Sequence, residues 1–378
     1  TCATGGQGKQ LRYQLLQRLV ADAERHLIML TATPHSGDET AFYNLIALLN
    51  PAFANLQGRT AASDPLRQEL ARHFVQRRRK DIEEWQAETA DGRAFPKRMK
   101  TEVTYQLSGA WGAFFDDVQS YCRELAETIE QTETGAARLI WYATLALLRC
   151  VASSPAAAVK ALTTRLQGTL DSDDGLHDER LHDGAADDLS GSDLEPPGQL
   201  RDTSRLHALI IEAERLSGAK GDPKLAALIH HLQGLVKERY QPVVFCRYVA
   251  TAHYVAAHLR QHFGNKITVA AVTGEFTPDE RHARVDAMGE ADQRILVATD
   301  CLSEGINLQH LFTAVVHYDL AWNPTRHEQR EGRVDRFGQQ ADEVRCTMLY
   351  GQDNPVDGFV LYVILRKGEA IQKELGVL

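Results

Sequence analysis

Between positions 329 and 339 the chain reads Gln-Arg-Glu-Gly-Arg-Val-Asp-Arg-Phe-Gly-Gln. Arg330, Arg333 and Arg336 recur every third residue, a spacing that keeps side chains near one another on a helix face. Arginine carries a permanent charge on a planar fork of donors that matches phosphate oxygens. Gly332 lets a second backbone or a ligand come close. Such a set suits the charge that develops on a phosphoryl group in transfer. The same run also reads as a solvated, charge-laced helix, so the surrounding elements must decide.

Two apolar runs of strand character, Leu27–Leu30 and Arg294–Ala298, are followed by Thr31-Ala32-Thr33-Pro34 and by the segment Thr299 to Leu308. Asp319-Leu320-Ala321-Trp322-Asn323-Pro324 directly precedes the arginines. From Asp222 onward the pattern predicts strands at Pro242–Cys246, Ile267–Val272, Arg294–Ala298, Ala314–Tyr318 and Arg345–Tyr350. Helices are predicted between them, such as Ala250–His262 and Pro278–Met288. Alternation of this kind implies a parallel sheet covered by helices, with ligand sites at the carboxyl ends of the strands. Thr273, Thr299, Asp319 and the Thr31 loop fall at such ends.

Ahead of that region the pattern predicts a helix over Gln10–Ala23, a strand over His26–Leu30 and a helix over Glu39–Leu49, as in the closing part of an α/β lobe. Residues 59–85 read as helical and mixed. Met99–Leu107 alternates as a strand with Val103, Tyr105 and Leu107 on one face. Trp111, Phe114, Phe115, Val118, Tyr121, Cys122 and Leu125 recur at helical spacing and read as a packing stripe, not a base-stacking platform. Leu139–Val151 is apolar nearly all round, as in a buried helix.

In this order the threonine-proline phrase, the Thr299–Leu308 segment and the arginine run resemble motifs III, V and VI of superfamily 2 helicases, and in particular the SNF2 family of ATP-driven translocases. Phe74, Arg77, Arg78, Lys80 and Asp81, then Pro96 and Lys97, resemble that family's stretch between motif III and the second lobe. The phrase Thr33-Pro34-His35-Ser36-Gly37-Asp38-Glu39 is similar to the bacterial branch containing the RNA-polymerase-recycling translocase and the helicase of the DISARM phage-defence system.

The resemblance implies an α/β, RecA-like P-loop NTPase fold with a partial first lobe, a complete second lobe and a helical insertion. The expected division is residues 1–108 for the end of lobe one, 109–170 for the insertion, 171–199 for an acidic disordered linker, 200–350 for lobe two and 351–378 for a C-terminal helix. It implies that Arg333 and Arg336 are arginine fingers for the γ-phosphate of ATP, with Arg330 supporting the helix or an interlobe contact. Gln329 and Gly305 would lie near the nucleotide, and Glu304 in the same loop. Thr31, Thr33, Arg247, Thr273, Gly274, Thr299, Trp322 and Asn323 would track a nucleic-acid backbone. Such contacts read phosphate and sugar, so no sequence specificity is expected. Simple packing under the arginine run is the alternative for Trp322.

ATP hydrolysis also needs a phosphate cradle and a magnesium ligand. Gly5-Gly6-Gln7-Gly8-Lys9-Gln10 is not that cradle, since position 10 is neither Ser nor Thr and no strand precedes it. No Asp-Glu-Ala-His-like run exists either. In the family both motifs lie ahead of motif III, so the expectation is a C-terminal part of a larger motor, inactive alone, with the Mg2+ ligands in the N-terminal part. Expected partners are double-stranded DNA, the remaining RecA-like lobe and either RNA polymerase or defence-system proteins. A non-hydrolysing nucleic-acid-binding module is the alternative of another class, and an unwinding or RNA-directed helicase the alternative within the enzymes.

Bulk properties fit this reading. The net charge of −9 resides in residues 171–198, which hold ten acidic residues and one arginine, so the rest of the chain is neutral overall and free to carry basic surfaces. A DNA-mimicking role for the acidic segment is a further alternative. The six cysteines form no Cys-x-x-Cys pair, which argues against a zinc site and for a reducing cytoplasm. No His-Glu-x-x-His and no Gly-x-Ser-x-Gly occurs, and no apolar run is long enough to span a membrane.

Overall fold

The computed structural model describes residues 7–22, 24–31, 39–59, 63–75, 79, 82, 84, 95–107, 109–129, 134–168, 203–303 and 305–375. The acidic stretch 171–199, Thr33 with the rest of its phrase to Asp38, Arg77, Arg78, Lys80, Asp81 and Glu304 lie outside them. The chain divides into two units, one of residues 1–94, 322–329 and 361–378, the other of residues 95–321 and 330–360.

The second unit is built on six strands: β1 (Lys97–Tyr105), β2 (Pro242–Phe245), β3 (Thr268–Val272), β4 (Arg294–Ala298), β5 (Ala314–His317) and β6 (Glu343–Gly351). Their order across the sheet is β1-β6-β5-β2-β4-β3, and every pairing is parallel. Successive side chains of a strand point to opposite faces. Val243 and Phe245 therefore join one core with Val272, Leu296 and Val315, while Val244 joins the other with Ile295, Val297 and Val316. Burial on both faces explains why these strands read as continuous apolar runs.

Parallel strands need crossover connections, which helices supply. In chain order the helices are α1 (Gln7–Val20), α2 (Glu39–Ala47), α3 (Pro65–His73), α4 (Gly109–Ile129), α5 (Thr134–Ser153), α6 (Pro155–Gly168), α7 (Thr203–Arg215), α8 (Pro223–Lys237), α9 (Val249–Phe263), α10 (Pro278–Ala287), α11 (Pro324–Glu331) and α12 (Pro355–Leu375). Leu225, Leu228 and Leu232 of α8 pack on one face of the sheet with Val255 and Leu259 of α9, and Val285 of α10 packs on the other. Asp222 starts α8 by accepting the Leu225 N–H at 3.0 Å ahead of Pro223 at the first helical position. Thr277 and Glu280 start α10 with a reciprocal capping box.

Helices α4 to α7 share a core of their own, in which Trp111, Phe114, Phe115, Val118, Tyr121 and Cys122 meet Leu147, Leu162 and Leu206. The aromatic stripe is thus packing, as the spacing predicts. The core also takes in α7, which lies beyond the expected insertion boundary at 170.

The first boundary moves as well. β1 was expected to close the first lobe, but it pairs with β6 from Lys97↔Glu343 to Tyr105↔Gly351 and belongs to the second unit. Pairing with β6 gives its backbone a full ladder, and Tyr105 enters the sheet core. Leu107 falls past the strand end but still packs against that core.

In the first unit Phe42, Tyr43, Ile46, Phe53, Leu56 and Leu70 form a small core. The expected strand His26–Leu30 is irregular, with Ile28 and Leu30 exposed. A strand is held by the neighbour it bonds to, and among the described residues none lies beside this run. Among the described residues no helix is long and apolar enough to cross a membrane.

Candidate functional site

Arg247, Thr273, Thr299 and Asp319 lie just past the carboxyl ends of β2, β3, β4 and β5, which are adjacent in the sheet. Their geometry there is specific. The Arg247 N–H donates to Asp319 Oδ2 at 2.8 Å. The Thr299 N–H donates to the Val272 carbonyl at 3.2 Å and ties the ends of β3 and β4 together. The Thr273 hydroxyl donates to Glu275 Oε2 at 3.0 Å, and the same oxygen meets His253 Nε2 at 2.7 Å. The His253 and Thr273 hydrogen bonds hold the Glu275 carboxyl below its ordinary range. The Gly274 carbonyl accepts from Arg281 Nη2 at 3.2 Å. Thr273 and Thr299 are both fully buried, whereas Arg247 is half-buried.

The loop after β4 turns tightly, and the Ser303 hydroxyl donates to the Asp300 carbonyl at 2.7 Å. Gly305 has φ +80°, a backbone region that side chains rarely adopt. Ile306 and Leu308 then anchor the loop in the sheet core.

The three arginines do not share a helix face. α11 ends at Glu331, so only Arg330 is helical. Arg330 is fully buried. Its Nε and Nη2 donate to Asp300 Oδ1 and Oδ2 at 2.6 and 2.9 Å, and its Nη1 donates to the Asp319 carbonyl at 2.8 Å. The guanidinium carbon also lies 5.4 Å from the centre of the Phe245 ring. Arg330 therefore locks the loop after β4 to the segment after β5. Arg333 is half-buried and its Nη1 donates to the Ile306 carbonyl at 3.4 Å. Arg336 is exposed and its Nη1 donates to Asn307 Oδ1 at 2.5 Å. Both outer arginines thus meet the 305–308 loop. Val334, buried in the sheet core, draws the chain inward between them.

Two buried networks support this edge. Lys224 Nζ donates to Asp319 Oδ1 at 2.7 Å and to the Ala152 carbonyl at 3.1 Å, and the Ser153 hydroxyl donates to Asp319 Oδ2 at 2.9 Å. Burial pulls the Lys224 amine down, but the charges of Asp319, Asp357 and Asp222 outweigh it and leave it raised. Burial pushes Asp222 up to about 6, against its hydrogen bond from Leu225 and the Lys224 charge. In the second network Glu331 accepts from Arg98 Nη1 at 2.9 Å and meets His317 Nε2 at 3.3 Å, while Arg98 Nε donates to Asp335. Burial opposes charge on Glu331, yet the His317 hydrogen bond and the Arg98 and Lys100 charges hold its carboxyl low. Burial depresses His317, against its hydrogen bond to Glu331.

Sequence reasoning missed Arg98, Asp300 and Lys224 as partners. Lys224 left a signal: it sits at the buried period of α8, one and two turns before Leu228 and Leu232. Of the other expected site residues, Thr31 is exposed in the first unit, and Trp322, Asn323 and Gln329 are half-buried and grouped with that unit. Asn323 Oδ1 accepts from the Thr325 N–H at 3.1 Å and its hydroxyl at 2.8 Å, at the start of α11. Among the described residues no three His, Cys, Asp or Glu side chains converge on a metal-sized site. The exposed fork of Arg336 and the half-buried fork of Arg333 have the chemistry to hold phosphate oxygens.

Residues 223–338, which contain the four strand ends and the arginine run, match the helicase conserved C-terminal domain. An uncharacterized ATP-dependent helicase of Bacillus subtilis, YqhH, is 24% identical across 98% of this chain and 58% of its own length. The RNA polymerase-associated protein RapA of Sodalis glossinidius is 32% identical over 32% of this chain and 12% of its own. Among solved structures, the C-terminal part of the Fun30 ATPase domain superposes with TM-score 0.47 at 15% identity, covering 75% of this chain and 99% of that one. The chain spans 58% of the length of its Bacillus relative. The matched segment supplies β2 to β5, four of the six strands of the parallel α/β sheet. Over residues 223–338 the chain therefore resembles the C-terminal domain of helicases.

Proposed function

We propose that this chain is the part of an SNF2-type, ATP-dependent DNA translocase that supplies the arginine fingers and half of the track for double-stranded DNA. The observation that carries this reading is the division of labour among the arginines. Arg330 is spent on a buried, bidentate bond to Asp300, and that bond fixes the base from which Arg333 and Arg336 project. A preorganised donor stabilises developing charge without reorganising at the moment of reaction. Arg333 and Arg336 would hold the γ-phosphate of ATP, whose cleavage supplies the driving free energy, while Gly305 and Gln329 lie near the nucleotide. The expected Mg2+ would be held by residues of the first lobe. Arg247 and Gly274 would follow the DNA backbone at the strand ends, with Thr273 and Thr299 shaping the edge from beneath.

The name of RapA supports RNA polymerase as the first partner to test, ahead of a role in phage defence. The decisive experiment is duplex-stimulated ATPase activity of the complete protein with Arg333→Ala. Turnover should fall about 10³ to 10⁵-fold with duplex binding retained, the range for arginine fingers. Near-normal turnover would defeat the assignment and favour a module that binds nucleic acid without hydrolysing ATP.

A further inference from the structure

We infer that Arg98 is a positioning residue for Arg333 and Arg336, which makes the strand that enters the second unit a working part of the arginine apparatus. The inference rests on the proposed role of those two arginines.

Arg98 lies on β1, four residues after the division between the units at Ala94. Its fork spans the arginine turn: Nη1 donates to Glu331 Oε2 at 2.9 Å and Nε donates to Asp335. Glu331 and Asp335 bracket Arg333 on its two sides, and Asp335 directly precedes Arg336. The Asp335 side chain is wholly buried and that of Glu331 is 10% exposed, so neither carboxylate can replace Arg98 with bulk water. A second contact is independent of charge. Phe95 packs edge-on against Phe337, with ring centres 6.1 Å apart. The segment 95–98 therefore holds residues 331–337 at both ends of the turn.

The turn gains from such a clamp because past Glu331 a continuous helix ladder gives way to short turn bonds. α11 stops at Glu331, and the backbone beyond is held by the Arg333 N–H to the Arg330 carbonyl at 3.2 Å, the Asp335 N–H to the Glu331 carbonyl at 2.8 Å and the Leu308 N–H to the Arg333 carbonyl at 3.0 Å. These bonds hold the backbone of the turn, while Arg98 holds the side chains of Glu331 and Asp335, and Arg336 departs from Asp335. A displacement of the incoming chain at residue 95 would displace the turn with it. Positioning to within an ångström is worth orders of magnitude in rate.

The test is made in the complete protein with wild type, Arg98→Ala, Arg98→Lys and Arg333→Ala. Steady-state kinetics, thermal unfolding and hydrogen exchange are measured on each. Arg98→Ala should lower kcat roughly 10²-fold with KM for ATP little changed, the signature of an interaction realised in the transition state. Faster exchange should be confined to residues 331–338. Arg98→Lys keeps the charge but loses the fork, so it should fold as wild type and recover only part of kcat. If Arg333→Ala is inactive while both Arg98 variants keep kcat within about twofold of wild type, the clamp is irrelevant and the arginine-finger reading stands. Loss of kcat with faster exchange across β3 and β4 would make Arg98 merely structural and overturn the inference. Normal turnover of Arg333→Ala would remove the reading and the inference together.

Discussion

Arg330→Ala is the perturbation whose cost the structure states most directly. The side chain is fully buried and makes three hydrogen bonds, two of them to Asp300. Removing one partner of a buried ion pair costs about 3–5 kcal/mol, because the other charge stays behind. Asp300 is 15% exposed, so some water reaches it and the lower end, about 3 kcal/mol, applies. The Asp319 carbonyl also loses its donor, worth about 1 kcal/mol. The sum of about 4 kcal/mol is a large share of the roughly 5–15 kcal/mol that holds a domain folded. Urea unfolding followed by circular dichroism, with the m-value checked for constancy, measures it. Arg330→Met with Asp300→Leu should cost less than Arg330→Ala alone, since no charge is stranded. A loss below about 1 kcal/mol for Arg330→Ala, or costs that simply add in the double variant, would refute the view that this pair is the base of the arginine turn.

Other expectations are equally specific. Asp222 has an ordinary value of 3.8 and is raised to about 6 in the folded chain, so the fold binds an extra proton between those values. The contribution of Asp222 to stability should be fully present below that window and fall by roughly 3 kcal/mol as pH rises through it. Asp222→Asn, which can still accept from Leu225, should remove this dependence in denaturant titrations run from pH 3.5 to 7. Gly305→Ala should destabilise the 305–308 loop by about 1 kcal/mol from its positive φ alone, since a Cβ there meets nothing within 4 Å. Gly221→Ala should cost more, because the new Cβ would sit 2.5 Å from the Leu216 carbonyl, and equal melting temperatures for the two glycine variants would contradict this. Thr277→Ala should lose about 1 kcal/mol with the capping box, read from the urea midpoint.

The parallel sheet was legible because its strands are buried on both faces. Each is a short apolar run, such as Pro242–Phe245 or Arg294–Ala298, and helical spacing fills the gaps between them. Strand partnership was not legible. Met99 to Leu107 alternates like any half-buried strand, and nothing in that alternation says which sheet takes it. Its neighbour is β6, over 200 residues away in sequence, and that pairing moves it into the second unit. His26–Leu30 has the composition of a strand but, among the described residues, no ladder to join.

The candidate site shows the same limit at finer scale. Three arginines at equal spacing look equivalent in sequence, and a continued helix would have made them so. What separates them is the residues between. Val334 is apolar enough to be drawn into the sheet core, and Asp335 is drawn under Arg98, so the chain leaves the helix after Glu331. Arg330 then stays behind as a buried strut while Arg333 and Arg336 turn toward the 305–308 loop. The chemistry of the run was readable from residue type. The distinct role of each arginine depended on partners at positions 98, 300 and 319, which only the folded chain brings together.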